Sequence, residues 1–133
     1  MVKKSAKFKQ NDWVLLFSRI FLTTIFLLVG YNHLMDPVGT KAFMASAGLF
    51  AVDFLYIVAV LFMFIGGLSV LLGYRTDLGA VLLMMFLIPS TLIFHLDFSN
   101  MDQIINFQKN LAILGGLFAI YVAGPGRISE DKK

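Results

Sequence analysis

The chain has 133 residues and a formal net charge of +3; 59% of its residues are apolar and only 14% are charged. Soluble domains are about 45–50% apolar and about 25% charged, so this composition indicates a chain that is covered by lipid. It excludes a soluble enzyme, a disordered chain and a secreted disulfide scaffold. The absence of cysteine excludes thiol nucleophiles, iron–sulfur clusters and covalently attached haem. The net charge of +3 is spread over the two ends of the chain, which indicates membrane orientation and not nucleic-acid binding.

Four apolar stretches are long enough to cross a hydrocarbon core, which takes about 20 helical residues. They cover residues 13–35, 49–72, 78–96 and 104–122. Their connections are short, so we predict an all-α fold, an antiparallel four-helix membrane bundle in one domain over residues 13–123. Residues 1–12 are expected to be a basic leader and residues 124–133 a tail. No small-residue cleavage site follows the first apolar run, which predicts an uncleaved helix and not a signal peptide.

Lysine and arginine residues outside the spans predict the orientation, because they accumulate on the cytoplasmic side. The connection on the opposite side has only Lys41. The side of the two termini has eight such residues: Lys3, Lys4, Lys7, Lys9, Arg75, Arg127, Lys132 and Lys133. We therefore expect both termini to be cytoplasmic, in a bacterial inner membrane.

One face of the first predicted helix carries polar residues. Spacings of three and four residues place Arg19, Thr23, Phe26, Gly30 and His33 on this face, which we expect to point into the bundle. An ionisable residue inside a span is a functional candidate because it is costly there unless it is paired or solvated. Arg19 is interpreted either as a structural pin that caps backbone carbonyls or reaches the headgroups, or as a ligand- or partner-binding residue.

A second polar group is predicted near the outer surface, where two helices end and two begin. We expect these residues to surround one outward-facing polar pocket or, alternatively, to be separate hydrated interface residues: His33, Asp53, His95, Asn106, Lys109 and Asn110. A quinone headgroup suits such a pocket because its carbonyls need only one or two donors. The two histidines lack a metal-ligand spacing, so neither haem nor a metal is favoured, and no cofactor is required by the sequence.

Small residues and one proline have structural interpretations. Gly66, Gly67, Gly73 and the pair at 115–116 allow close helix contact. Pro89 is expected to kink the third predicted span and to free a backbone carbonyl. No paired carboxylates, nucleophile–base arrangement or dinucleotide motif is present, so no catalytic residues are predicted.

Several segments resemble the DoxX family of small four-helix membrane proteins, which are related to the DoxD subunit of thiosulfate:quinone oxidoreductases. The resemblance is carried by GGLSVLLGYRTDLGAVLL at 66–83, QKNLAILGGL at 108–117 and the GPGRIS segment at 124–129, and it extends over residues 14–131. The residues that match the family pattern are Arg19, Gly30, Gly67, Gly73, Arg75, His95, Lys109, Asn110, Gly124, Pro125, Gly126 and Ser129. His33 stands where the family often has lysine, and the second helix lacks an acidic residue common there.

The resemblance implies an accessory or quinone-contacting subunit of a membrane redox complex, of the quinol oxidase or thiosulfate:quinone oxidoreductase type. It also implies membrane or periplasmic redox partners. Two alternatives stay open: a non-catalytic assembly factor or scaffold, in which Arg19 and the glycine faces hold a partner helix, and transport of a small solute or protons. Transport is favoured least, because four helices leave little room for alternating access. A homo-oligomer is also left open.

Overall fold

The computed structural model describes residues 9–131, which form five helices and no strand. Four of the helices are long and apolar enough to cross a membrane. The leader residues 1–8 and Lys132 and Lys133, which contribute to the predicted orientation, lie outside the described residues. The five helices are α1 (Gln10–Met35), α2 (Pro37–Ser46), α3 (Val52–Leu72), α4 (Thr76–Phe94) and α5 (Met101–Ala123).

Helix α2 is the main departure from the sequence-based expectation, which has no helix between the first two spans. Pro37 occupies its first turn, where a missing amide proton costs nothing. The carboxylate of Asp36 caps this helix by accepting a hydrogen bond from the amide of Gly39 at 3.0 Å. At ten residues the helix is too short to span a membrane, so a search for long apolar stretches misses it.

The long helices differ from the predicted spans by a few residues at their ends. Helix α3 begins three residues after the predicted start because the chain turns at Gly48 (φ +85°) and Ala51 (φ +53°). Helix α5 begins three residues early because the Asn100 side chain accepts a hydrogen bond from the amide of Asp102 at 2.9 Å. Helix α1 begins three residues before the predicted start. Helix α4 begins two residues before its predicted start and ends two residues before its predicted end, at Phe94.

Helix α3 packs against both α1 and α4, and α5 packs mainly against α4. Along the contact between α1 and α3 the residue order is opposed, since Gly67 faces Leu27 whereas Gly30 faces Met63. Gly66 lies against Leu83 of α4. These contacts bring the end of α1 beside the start of α3. We call this region, where α1 and α4 end and α3 and α5 begin, the α2 end, and the opposite region the tail end.

The predicted inward face of α1 is confirmed by burial. Arg19, Thr23, Phe26 and Gly30 are all buried, and His33 is half-buried. The apolar core around Phe26 is formed by residues of all four long helices: Met63, Val70, Ala80, Leu83, Leu87, Leu117 and Ile120. The large side chains that point away from the core, such as Phe21 and Val122, are exposed, as expected for a lipid-facing surface.

The segment after α5 folds back over the tail end of the helices. The amides of Glu130 and Asp131 donate to the carbonyls of Leu72 and Gly73, each at 3.0 Å. Within this segment Pro125 and Gly126 are buried, whereas Gly124 has open space around it. We call residues 124–131 the C-terminal strap, because they join the start of α1 to the turn between α3 and α4.

Candidate functional site

A cavity of about 440 Å³ lies at the α2 end of the bundle. All five helices contribute to its wall, which is mostly apolar and contains aromatic side chains. The aromatic side chains of the wall are Phe26, Phe43, Tyr56, Phe62, Phe86 and Phe94. The sequence predicts a pocket with polar groups here. The wall holds a few polar groups among mostly apolar side chains, because the inward faces of the helices are predominantly Phe, Met, Leu and Ile.

Four of the six residues predicted for the pocket line this cavity, namely His33, His95, Lys109 and Asn110. The other two do not line it. Asp53 forms an ion pair with Lys41 of α2 at 3.0 Å, and its side chain is 86% exposed. Asn106 accepts a hydrogen bond from the ammonium of Lys109 at 3.3 Å. The predicted group of polar residues is therefore divided between the cavity and its surroundings.

The hydrogen bonds of the two histidines determine which ring nitrogen carries the proton in the neutral form. The hydroxyl of Thr40 donates to the carbonyl of Asp36 at 2.8 Å, so it acts as the acceptor toward Nδ1 of His33 at 3.3 Å. Nδ1 of His95 likewise faces the amide oxygen of Gln103 at 2.8 Å. In the tautomer that donates through Nδ1, Nε2 of each neutral ring is a hydrogen-bond acceptor.

Lys109 and Asn110 of α5 are two hydrogen-bond donors in the cavity wall. The amide nitrogen of buried Asn110 donates to the hydroxyl of Thr91 at 2.9 Å, and Thr91 donates to the carbonyl of Leu87 at 2.7 Å. One proton of the Asn110 amide group is left for a ligand. Pro89, two residues before Thr91, also lines the cavity, so the proline predicted to kink α4 lies in its wall.

Helix α2 covers part of the cavity through Thr40, Phe43 and Met44. The ring of Phe43 stacks on Phe94 of α4, with the ring centroids 4.9 Å apart. The hydroxyl of Tyr56 donates to the carbonyl of His33 at 2.8 Å, and the ammonium of Lys41 lies 5.1 Å from the centre of the Tyr56 ring. The sequence did not predict that Thr40, Phe43 and Met44 line the cavity, because it did not predict helix α2.

At the tail end, Arg19 lies in a second cluster, apart from the cavity. Its side chain is 1% exposed and donates a hydrogen bond to the carbonyl of Ile128 in the strap. The amide of Arg127 donates to the carboxylate of Asp12 at 3.1 Å, and the amide of Arg75 donates to the carboxylate of Asp131 at 2.7 Å. Of the two interpretations of Arg19, this arrangement corresponds to the structural pin that caps backbone carbonyls.

Asp12 is a residue of this cluster that sequence reasoning missed. Its carboxylate also accepts from the amide of Lys9 at 2.8 Å, which caps the start of α1. An acidic residue in the first turn of a helix is a recognisable capping signal. The signal does not reveal that the same carboxylate also holds the strap.

Comparisons with known proteins identify the family. The DoxX family model matches residues 14–96. This chain belongs to the DoxX family. It is 30% identical to the inner membrane protein YqjF of Escherichia coli over 124 residues, which are 93% of this chain and 94% of that protein. It is 31% identical to the E. coli inner membrane protein YphA over 126 residues, 90% of this chain and 89% of the relative. No solved structure matches the chain.

These findings establish a DoxX-family protein of the inner membrane. In this DoxX-family chain the residues that carry the resemblance fall mainly into two groups in space. His95, Lys109 and Asn110 line the cavity. The tail end contains a larger set: Arg19, Gly73, Arg75, Gly124, Pro125, Gly126 and Ser129. Between residues 9 and 131 the structure contains no group of three or more side chains placed to hold a metal ion.

Proposed function

We propose that this DoxX-family protein is an accessory, quinone-contacting subunit of a membrane redox complex. The observation that supports the proposal is the cavity. Its wall is mostly apolar and aromatic, and it also contains hydrogen-bond donors and acceptors. A quinone ring with its apolar tail needs such a surrounding, in which a few polar groups fix the orientation of the ring. The volume of about 440 Å³ is within the range of small-molecule sites.

The polar groups match both redox forms of a quinone headgroup. Lys109 and Asn110 can donate to the carbonyl oxygens of the oxidised form. The Nε2 atoms of His33 and His95 can accept from the hydroxyl groups of the reduced form. The quinone would supply the electron-carrying chemistry, while this chain binds and orients it, because the sequence offers no catalytic constellation of its own. The electron donor then belongs to a partner subunit.

The proposed subunit is an antiparallel four-span bundle with both termini in the cytoplasm. The opposed residue order of α1 and α3 and the excess of basic residues on the side of the termini support this arrangement. The cavity then lies in the periplasmic half of the membrane, where it is accessible to quinone and to periplasmic redox partners.

The test is to purify the protein from native membranes in mild detergent and to measure the quinone that remains bound. Lys109→Met with His95→Ala should lose most of this quinone. Arg75→Met is the control, because it also removes one positive charge but from an exposed residue at the tail end that does not line the cavity. Equal quinone in all three preparations, or none in the native protein, would contradict the proposed site.

A scaffold or assembly factor is the second candidate, and one feature of α5 favours it. Gly115 is exposed, with open space beside it, between the exposed Leu111 and Phe118 on the outer surface of α5. A small residue of this kind allows the helix of another protein, or a second copy of this chain, to approach closely. Recovery of a membrane partner without any quinone would favour this function over the redox one.

A further inference from the structure

The charge of Lys109 has no counter-charge in the cavity. The wall contains no aspartate or glutamate, and the ionisable groups that share it with Lys109 are His33, His95 and Tyr56. Within residues 9–131 no carboxylate forms an ion pair with Lys109, whose hydrogen-bond partner is the neutral amide of Asn106. Asp53, which was predicted to share a polar pocket with Lys109, is paired with Lys41.

An unbalanced cation beside an apolar cavity favours a ligand of opposite charge. Lys109 is an exposed residue that lines the cavity, and electrostatic attraction becomes stronger where an occupant displaces water and lowers the local dielectric constant. A negatively charged group placed next to Lys109 would balance its charge. A neutral group would provide a hydrogen bond without balancing the charge.

We propose that Lys109 makes the cavity selective for amphiphilic ligands whose polar end is negatively charged. The anionic oxygen would lie between the ammonium of Lys109 and the remaining amide proton of the adjacent Asn110, with the apolar part of the ligand against the aromatic wall. For quinoid ligands this inference rests on the proposed function and specifies which form of the headgroup binds best. Lys109 is thereby a specificity-determining residue.

The experiment uses two ligands that differ mainly in charge. The full chain in nanodiscs of zwitterionic lipid is titrated with 2-hydroxy-1,4-naphthoquinone, which is an anion at neutral pH, and with its neutral 2-methoxy derivative. The native protein should bind the anion about ten- to a hundredfold more tightly, as hydrogen bonds to charged groups contribute about 1.5–3 kcal/mol. Lys109→Met should lose the preference and Lys109→Arg should keep it, whereas Arg75→Met, which removes an exposed charge at the tail end, should leave it unchanged.

A second pair of ligands separates this inference from the proposed function. Dodecanoate and dodecanol have the same chain length and differ in charge. Tighter binding of dodecanoate than of dodecanol, if it is lost in Lys109→Met, would support the charge selectivity. If neither quinone bound in that case, only the proposed quinone function would be refuted. Equal affinity for the neutral and anionic quinones would refute the charge selectivity but not the proposal that the cavity binds quinone. No binding of any of the four ligands would overturn both.

Discussion

The guanidinium of Arg19, in the first membrane helix, donates a hydrogen bond to the backbone carbonyl of Ile128 in the C-terminal strap, 109 residues later in the chain. Within residues 9–131 its Nε and Nη1 atoms have no hydrogen-bond partner, although the side chain is buried. Arg19 thus holds the strap through one hydrogen bond from a charged donor. Such bonds contribute about 1.5–3 kcal/mol, which is enough to keep a short irregular segment in place.

Replacing Arg19 with methionine should therefore loosen the strap. The amides of Glu130 and Asp131, which are bonded to the carbonyls of Leu72 and Gly73, should exchange with deuterium about tenfold faster or more, because tenfold corresponds to about 1.4 kcal/mol. Hydrogen–deuterium exchange of the detergent-solubilised protein measures this effect. Arg75→Met, which removes an exposed charge from the same end of the bundle, should leave these two rates nearly unchanged. Equal exchange in the two variants would show that Arg19 does not hold the strap.

Gly73→Ala should destabilise the protein by about 2 kcal/mol or more. Gly73 has φ +70°, a left-handed conformation that costs other residues about 1–2 kcal/mol. An added Cβ atom would also collide with Nη1 of Arg19 and with Ser129. Reversible denaturation in detergent micelles gives the change in the free energy of unfolding.

Gly115→Ala is the matched control for this experiment. An added Cβ atom meets nothing within 4 Å at this position, which lies inside helix α5. Alanine should stabilise this helix by about 0.5–1 kcal/mol. The two substitutions should therefore change the stability in opposite directions, and a change of the same sign in both would refute the argument from local geometry.

Removal of the buried hydrogen bond between Asn110 and Thr91 should lower the free energy of unfolding by about 1 kcal/mol. Asn110→Leu leaves Thr91 bonded only within its own helix, to the carbonyl of Leu87, and interhelical hydrogen bonds in membrane proteins average about 0.6 kcal/mol, up to about 1.7. The same denaturation assay measures the loss. Thr24→Val serves for comparison, since the exposed Thr24 hydroxyl bonds only to its own helix. An equally stable Asn110→Leu variant would be inconsistent with a structural role for this bond.

Opening of the cavity should become easier when the contact between α2 and α4 is removed. Phe43→Ala deletes the stacking on Phe94, and aromatic pairs contribute about 0.5–1.5 kcal/mol. The chain has no cysteine, so a single cysteine introduced as Ser90→Cys in the cavity wall reports access to a thiol reagent. Labelling should accelerate about two- to tenfold in Phe43→Ala. Phe50→Ala, which changes a highly exposed ring beyond α2, should leave the labelling rate unaltered, and an equal rate in both variants would rule out α2 as a barrier.

Much of the fold could be predicted from local properties of the sequence. The lengths of the apolar stretches predict the four long helices, and the spacing from Arg19 to Gly30 predicts the buried face of α1. The placement of His33, His95 and Lys109 around one end of the bundle follows from the alternation of spans joined by short connections. Helix α2 is not predictable in this way, because its ten residues depend on the Asp36 cap and on packing against its neighbours.

Hydropathy and helical periodicity are properties of neighbouring residues, so they are sufficient to predict an all-helical membrane chain with ionisable residues near the ends of its helices. The folded structure shows which of these groups contact one another. It pairs Asp53 with Lys41 and leaves Lys109 beside the cavity without a carboxylate. It also joins Arg19 to the strap through a backbone carbonyl. Such pairings depend on distances of a few ångströms between residues far apart in the chain, which no spacing along the chain encodes.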